Sequence, residues 1–158
     1  MVDRRRRPTR AEAVDADLVQ YLVIAVPEVG SLAAAGPALA DLVKAEAIRV
    51  LDLLVVVRKI SGGVTVLEFE DVEGLEELTE IEGDLGGLLS DHDVELISLA
   101  LRPGGVGLVI VTEDRWAQPL SSAVHQAGGR IVAGDRIPAA RAIAALTDIQ
   151  DDDAGEDL

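Results

Sequence analysis

Residues 21–26 (YLVIAV), 53–57 (LLVVV) and 108–111 (LVIV) are apolar at every position. A half-exposed strand would instead alternate apolar and polar side chains, so these runs predict strands covered on both faces. Glycine and proline divide the chain around them. Strands are expected at residues 18–26, 48–60, 64–70, 106–112 and 130–133. Helices are expected at 37–45, from Ser90 to about 101, at 116–127 and at 138–146. Pro37 suits a first helical position. Ser61-Gly62-Gly63 joins the second and third strands as a hairpin, with Gly62 and Gly63 supplying positive φ angles. Ser90-x-x-Asp93 has the form of a capping box, with Asp in place of Glu. Pro103-Gly104-Gly105 ends that helix, and the polar, acidic residues 74–83 suggest a short one.

The order β-α-β-β-α-β-α-β-α contains the ferredoxin-like unit β-α-β-β-α-β with an added α-β-α extension, an α+β fold. A ferredoxin-like sheet carries its helices on one face, so strands apolar on both faces need a second cover. Leaving several Val and Leu side chains wet would forgo several kcal/mol, at roughly 25 cal/mol per Å². A homo-oligomer joined through the sheet face is the preferred expectation, and a monomer whose last two helices cover both sides is the rival.

Length and charge refine this picture. The 158 residues allow one domain, placed at 18–147, between a basic arm (1–17) and an acidic tail (148–158) that are both expected to be disordered. Formal net charge is −15, from 29 acids and 14 bases. Five of the bases (Arg4, Arg5, Arg6, Arg7 and Arg10) lie in the first ten residues, and from Glu68 to Glu95 there are twelve carboxylates and no Lys or Arg. An acidic domain repels nucleic-acid phosphate, so no nucleic-acid partner is expected. One Trp, one Tyr and one Phe offer few stacking platforms, and the absence of Cys excludes disulfides and thiolate sites. Glu12, Asp15 and Asp17 interrupt any signal-peptide pattern after the arginines, and no apolar run reaches the roughly 20 residues of a transmembrane helix. A soluble, cytoplasmic protein is the expectation.

An ordered set of segments carries a resemblance: GPALADLVK from Gly36, IRVLDLLVVVRK from Ile48, residues 89–101 followed by Pro103-Gly104, EDRWA from Glu113, AGGRIVA from Ala127 and RIP from Arg136. Together they resemble an actinobacterial family of small proteins without an assigned function. That family is in turn similar to one labelled predicted membrane protein, in which a hairpin of this kind precedes an apolar, glycine-rich insertion. Here acids crowd residues 73–84 instead, so membrane association does not carry over.

Candidate chemistry is sparse. Asp91-His92-Asp93 and His125 hold the only histidines, but the two aspartates lie where carboxylates cap a helix, and no nucleophile is marked beside His125. Gly83-Asp84-Leu85-Gly86-Gly87 lacks the lysine of a phosphate loop, and Gly104-Gly105-x-Gly107 precedes a strand where a dinucleotide fingerprint would follow one; both read as turns. Asp52, inside an apolar strand, has three readings: a pair with Arg49 or Arg58, a bond to a loop amide, or a buried functional carboxylate. Asp114 suits an N-cap, and Trp116 beside Arg115 either packs over the sheet edge or forms a surface anchor. Arg115, Trp116 and Asp52 are the candidates for partner contact, with no catalytic residue, cofactor or metal expected. The function this supports is a non-enzymatic, self-associating interaction or assembly protein. The alternative is a small-ligand-binding or sensory module using the sheet face as a pocket.

Overall fold

The computed structural model describes residues 14–76, 78 and 87–154. Four strands, β1 (Val19–Val26), β2 (Arg49–Arg58), β3 (Val64–Glu68) and β4 (Val106–Glu113), form one antiparallel sheet in the order β1-β4-β2-β3. Helix α1 (Ala35–Lys44) links β1 to β2, and α2 (Asp91–Ser98) lies between β3 and β4. Helices α3 (Gln118–Gln126) and α4 (Ala139–Ala154) follow the last strand. The fold is therefore α+β with the element order β-α-β-β-α-β. Each crossover spans one intervening strand, β1 to β2 across β4 and β3 to β4 across β2, which leaves β4 and β2 central and β1 and β3 at the edges.

The two crossover helices lie on opposite faces of the sheet. Leu39 and Ala40 of α1 join Leu53, Val55, Leu108 and Ile110 in one core, completed by Leu32, Phe69, Val72, Leu75 and Leu78. On the other face, Val94 and Ile97 of α2, with Leu101 after it, pack on Val56 and Val109. Cover for the second face was expected from another copy or from the last two helices; α2 provides it. Gly107 makes this possible, because a Cβ there would lie 3.0 Å from both Leu101 methyl carbons.

Further expectations need correction. Residues 130–133 form no strand: α3 ends at Gln126 and Gly128 (φ +85°) turns the chain after it, Arg130 reaches Asp17, and Val132 is left 85 % exposed. The chain from 129 to 138 has no regular element, so the extension after β4 is helical only. The acidic tail was placed from residue 148, yet α4 continues to Ala154. The basic-arm boundary at 17 also falls inside ordered structure, since Asp15 caps a short 3₁₀ turn at residues 16–18. The arm's residues 1–13 lie outside the described residues, as does most of the short helix expected at 74–83. In the β2–β3 turn only Gly62 has a positive φ.

Candidate functional site

Asp52 shows how the sheet holds its cover. A bulge between Val50 and Asp52 breaks the period-two alternation. It lets Val50 stay in the α1-side core while Asp52 turns toward α2. The carboxylate is 1 % exposed and accepts from the amides of Leu53 (2.8 Å), Leu88 (3.0 Å) and Leu89 (3.2 Å). Of the three readings of this residue, the loop-amide one describes the bonds seen. It fixes the chain that leads into α2, and Ser90 then starts that helix with a full capping box to Asp93.

The other sequence candidates divide by exposure. Trp116 is 69 % exposed, with Leu120 (61 %) one turn further on, and its amide donates to Ala47 O at 3.1 Å. Arg115 is half-buried beside it. Asp114 occupies the N-cap position but its side chain caps nothing; it accepts from Gln20 Nε2 at 2.7 Å and Thr112 Oγ1 at 3.3 Å. Gly104 (φ +80°) and Gly105 lie in a turn closed by the Gly105 amide donating to Arg102 O, and the Gly104 amide donates to Arg58 O on β2. Residues 83–86 of the other glycine cluster lie outside the described residues.

The densest polar cluster brings together residues that the sequence separates by about a hundred positions. Glu113, at the end of β4 and 2 % exposed, accepts from Arg49 Nε (3.2 Å) and Nη2 (3.0 Å) and from the Asp15 amide. Ser121, fully buried in α3, donates through Oγ to Asp15 Oδ2 at 2.7 Å. His125, one turn on, has Nδ1 at 2.7 Å from Ser121 O and Nε2 at 3.4 Å from Asp17 Oδ2. Arg130 Nη2 reaches Asp17 Oδ1 at 2.6 Å.

Ser121, His125 and Asp17 thus form a Ser–His–Asp trio in space, and their hydrogen bonds decide against a nucleophile. A carbonyl oxygen only accepts, so Nδ1 of His125 carries a proton and cannot take one from Ser121 Oγ. That hydroxyl already donates to Asp15 and has no access to solvent. The trio fastens the start of the fold to α3. Around it opens a cleft of about 450 Å³, walled by residues 14–17 on one side and by His125, Gly128, Gly129 and Arg130 on the other. No three metal-binding side chains converge among the described residues, and none of the described helices is long and apolar enough to cross a membrane.

Sequence reasoning missed Glu113, Asp15, Asp17 and Ser121. The available signal was a charged residue closing an apolar strand, which leaves Glu113 needing a cation such as Arg49. Nothing local marked Ser121 or Asp17, whose partners are distant in the chain.

A family model matches residues 10–152 and is described as a family of unknown function, DUF6325. The chain belongs to this family. The DUF6325 match spans all but the last two described residues and includes Arg10, while Arg4–Arg7 lie before it. No curated protein and no solved structure matches the chain.

Proposed function

We propose that this protein is a non-enzymatic interaction module that self-associates through the open edge of its sheet. The observation that carries the reading is β1. Its eight residues, VQYLVIAV, hold no charge and no proline, and Val19, Tyr21 and Ile24 are 38–58 % exposed. Edge strands of monomeric proteins are normally guarded by charge, proline or a bulge, because an unpaired strand edge templates another strand. This edge has no such guard. Its lack of charge also matters in a chain of net charge −15, since two copies can approach there without placing carboxylates opposite one another. Two copies of one antiparallel edge strand pair about a two-fold axis, the commonest symmetry of homodimers.

The expected sheet-face interface moves in this reading to the sheet margin, because α2 already covers the middle of the second face. The same cover removes the sheet face as a ligand pocket. Helix α4 adds to the unsatisfied surface: residues 139–148 are exposed apart from partly buried Ala142, with Ile143 and Leu146 each 63 % exposed. Exposed Trp116, with half-buried Arg115 beside it, remains the anchor proposed for a second protein. The ferredoxin-like label rests on element order alone, and a soluble, cytoplasmic setting belongs to the same proposal.

Light scattering on the eluting chain tests this. The wild type should elute at a multiple of 16.6 kDa, more so at high salt, which screens the acidic repulsion. A Tyr21→Lys/Ile24→Lys variant should elute as one chain with an unchanged circular dichroism spectrum. A wild type that stays monomeric from micromolar to millimolar concentration overturns the proposal.

A further inference from the structure

The cleft beside His125 contains a carboxylate oxygen that the fold leaves without a donor. Asp17 has 9 % of its side chain exposed. Its Oδ1 takes Arg130, whereas Oδ2 is buried and accepts no hydrogen bond. His125 Nε2 lies 3.4 Å from it. Nδ1 carries the proton that Ser121 O requires, so whenever the ring holds that proton alone, Nε2 presents a lone pair and two acceptors face each other. Leaving a buried acceptor unsatisfied is costly. Among the described residues, Arg49 pairs with Glu113 behind the cleft and Arg130 with Asp17 at its wall, where Asp15 and Asp17 bring two carboxylates together.

We propose that this cleft is a binding site for a guanidinium group. The missing chemistry is a cationic N–H donor, and a guanidinium brings several in a planar fork suited to carboxylates. It is weakly hydrated and stacks on flat rings, which fits a half-exposed imidazole at the cleft wall. The histidine ring, 48 % exposed, turns aside to admit it to Asp17 Oδ2. Gly128 keeps the opposite wall low, since a Cβ there would meet nothing within 4 Å.

The guanidinium has two sources, which share this chemistry. One is the chain's own first thirteen residues, which carry five arginines and join the cleft wall at Val14. The other is an arginine on a separate molecule. This site is independent of the β1 edge and would stand if self-association failed.

The test uses the full chain, with arginine amide as probe. The readouts are melting temperature and the ring-proton resonances of His125. A second protein replaces the five arginines with glutamine (Arg4→Gln, Arg5→Gln, Arg6→Gln, Arg7→Gln, Arg10→Gln). If the chain supplies its own guanidinium, the five-glutamine protein melts lower than wild type and arginine amide restores it, while wild type barely responds. If the source is external, both proteins gain about 3–5 °C for each tenfold excess of probe over Kd. Either result shifts the His125 resonances and supports the site, and Asp17→Asn removes the response. Should Asp17→Asn fail to fold, the resonance shift in the other two proteins still decides. The proposal is overturned if neither protein responds to arginine amide, or if Asp17→Asn leaves intact the response of whichever protein does respond. It is also overturned if the only effect is a melting temperature that falls as pH rises from 5 to 8. That outcome would mean that a second proton on His125, and no ligand, satisfies Asp17.

Discussion

Strands β1 and β4 lie side by side, have eight residues each and draw on the same aliphatic alphabet, but their surroundings differ. Every residue of β4 is buried, while none of β1 is. β4 has a strand on each side and a helix-bearing core on each face. β1 has a strand on one side only, and of its residues only Val23 and Val26 reach either core cluster, each partly buried. The difference follows from the crossovers: α1 carries the chain past the place that β4 later fills, which leaves β1 outermost. Two-sided apolarity therefore marks a strand able to be covered on both faces, and strand order decides whether it is. The middle of this sheet is closed by the chain itself, and its β1 margin is left for something else.

Breaking the closed region should have the largest effect. Gly36, at the start of α1, lies against the backbone of Gly74, so that a Cβ on residue 36 would sit 1.6 Å from Gly74 O. Gly74 cannot yield easily, because its own φ is +91° and a Cβ there would meet Ala33 Cα at 2.6 Å. Gly36→Ala is expected to cost about 3 kcal/mol or more, a fall in melting temperature of roughly 10 °C. A loss below about 1 kcal/mol would show that this crossing is loose.

The second cover should respond next. Asp52→Asn keeps one acceptor oxygen but points an NH₂ group at amides that need an acceptor, at an expected cost of about 2–3 kcal/mol. Hydrogen exchange should speed up first in residues 88–98, because Asp52 holds the segment leading into α2. Uniform acceleration across all four strands would instead make Asp52 a general core residue.

These residues show how far the sequence was legible. Local chemistry was readable: the capping box of Ser90 and Asp93, the hairpin at Gly62 and the four strands stand within a few residues of where spacing placed them. Such features depend on neighbours within about four positions. What crosses the chain was not readable. The opposite placement of α1 and α2, the open edge at β1 and the pairing of Asp17 with His125 and Arg130 all depend on strand order, which periodicity does not encode. Residues 130–133 misled because Arg-Ile-Val-Ala has strand composition, while strandhood needs an edge to join. Asp52 did hint at long-range structure, as Glu113 at the end of β4 could have, since an acid in or closing an apolar run must find donors somewhere.

The open margin should tolerate what the centre does not. Tyr21→Lys/Ile24→Lys alters two exposed positions, so the stability of the isolated chain should change by no more than about 0.5 kcal/mol per site. Chemical denaturation at low protein concentration measures this. A loss above about 2 kcal/mol would mean that β1 is already covered within one chain, and the contrast with β4 would fail.

Acid provides the finest probe, because it acts on the cover of one face at a single cap. The Ser90 amide donates to Asp93 at 2.8 Å, its hydroxyl at 2.7 Å, and these bonds hold the Asp93 carboxyl below its ordinary value of 3.8. A carboxylate lowered by folding stabilises the folded state above its unfolded value, and the contribution disappears as pH falls through the lowered one. The first turn of α2 should therefore fray below about pH 4, the ordinary aspartate range, before the strands beneath it loosen. Amide resonances of residues 90–94, followed from pH 6 to pH 2, report this directly. In Asp93→Asn the cap is weakened at every pH, so those resonances should start nearer their frayed positions and move less. If wild type and variant move alike, the acid response of α2 comes from other carboxylates in the run from Glu68 to Glu95, and the cap at Ser90 is incidental to how that face stays closed.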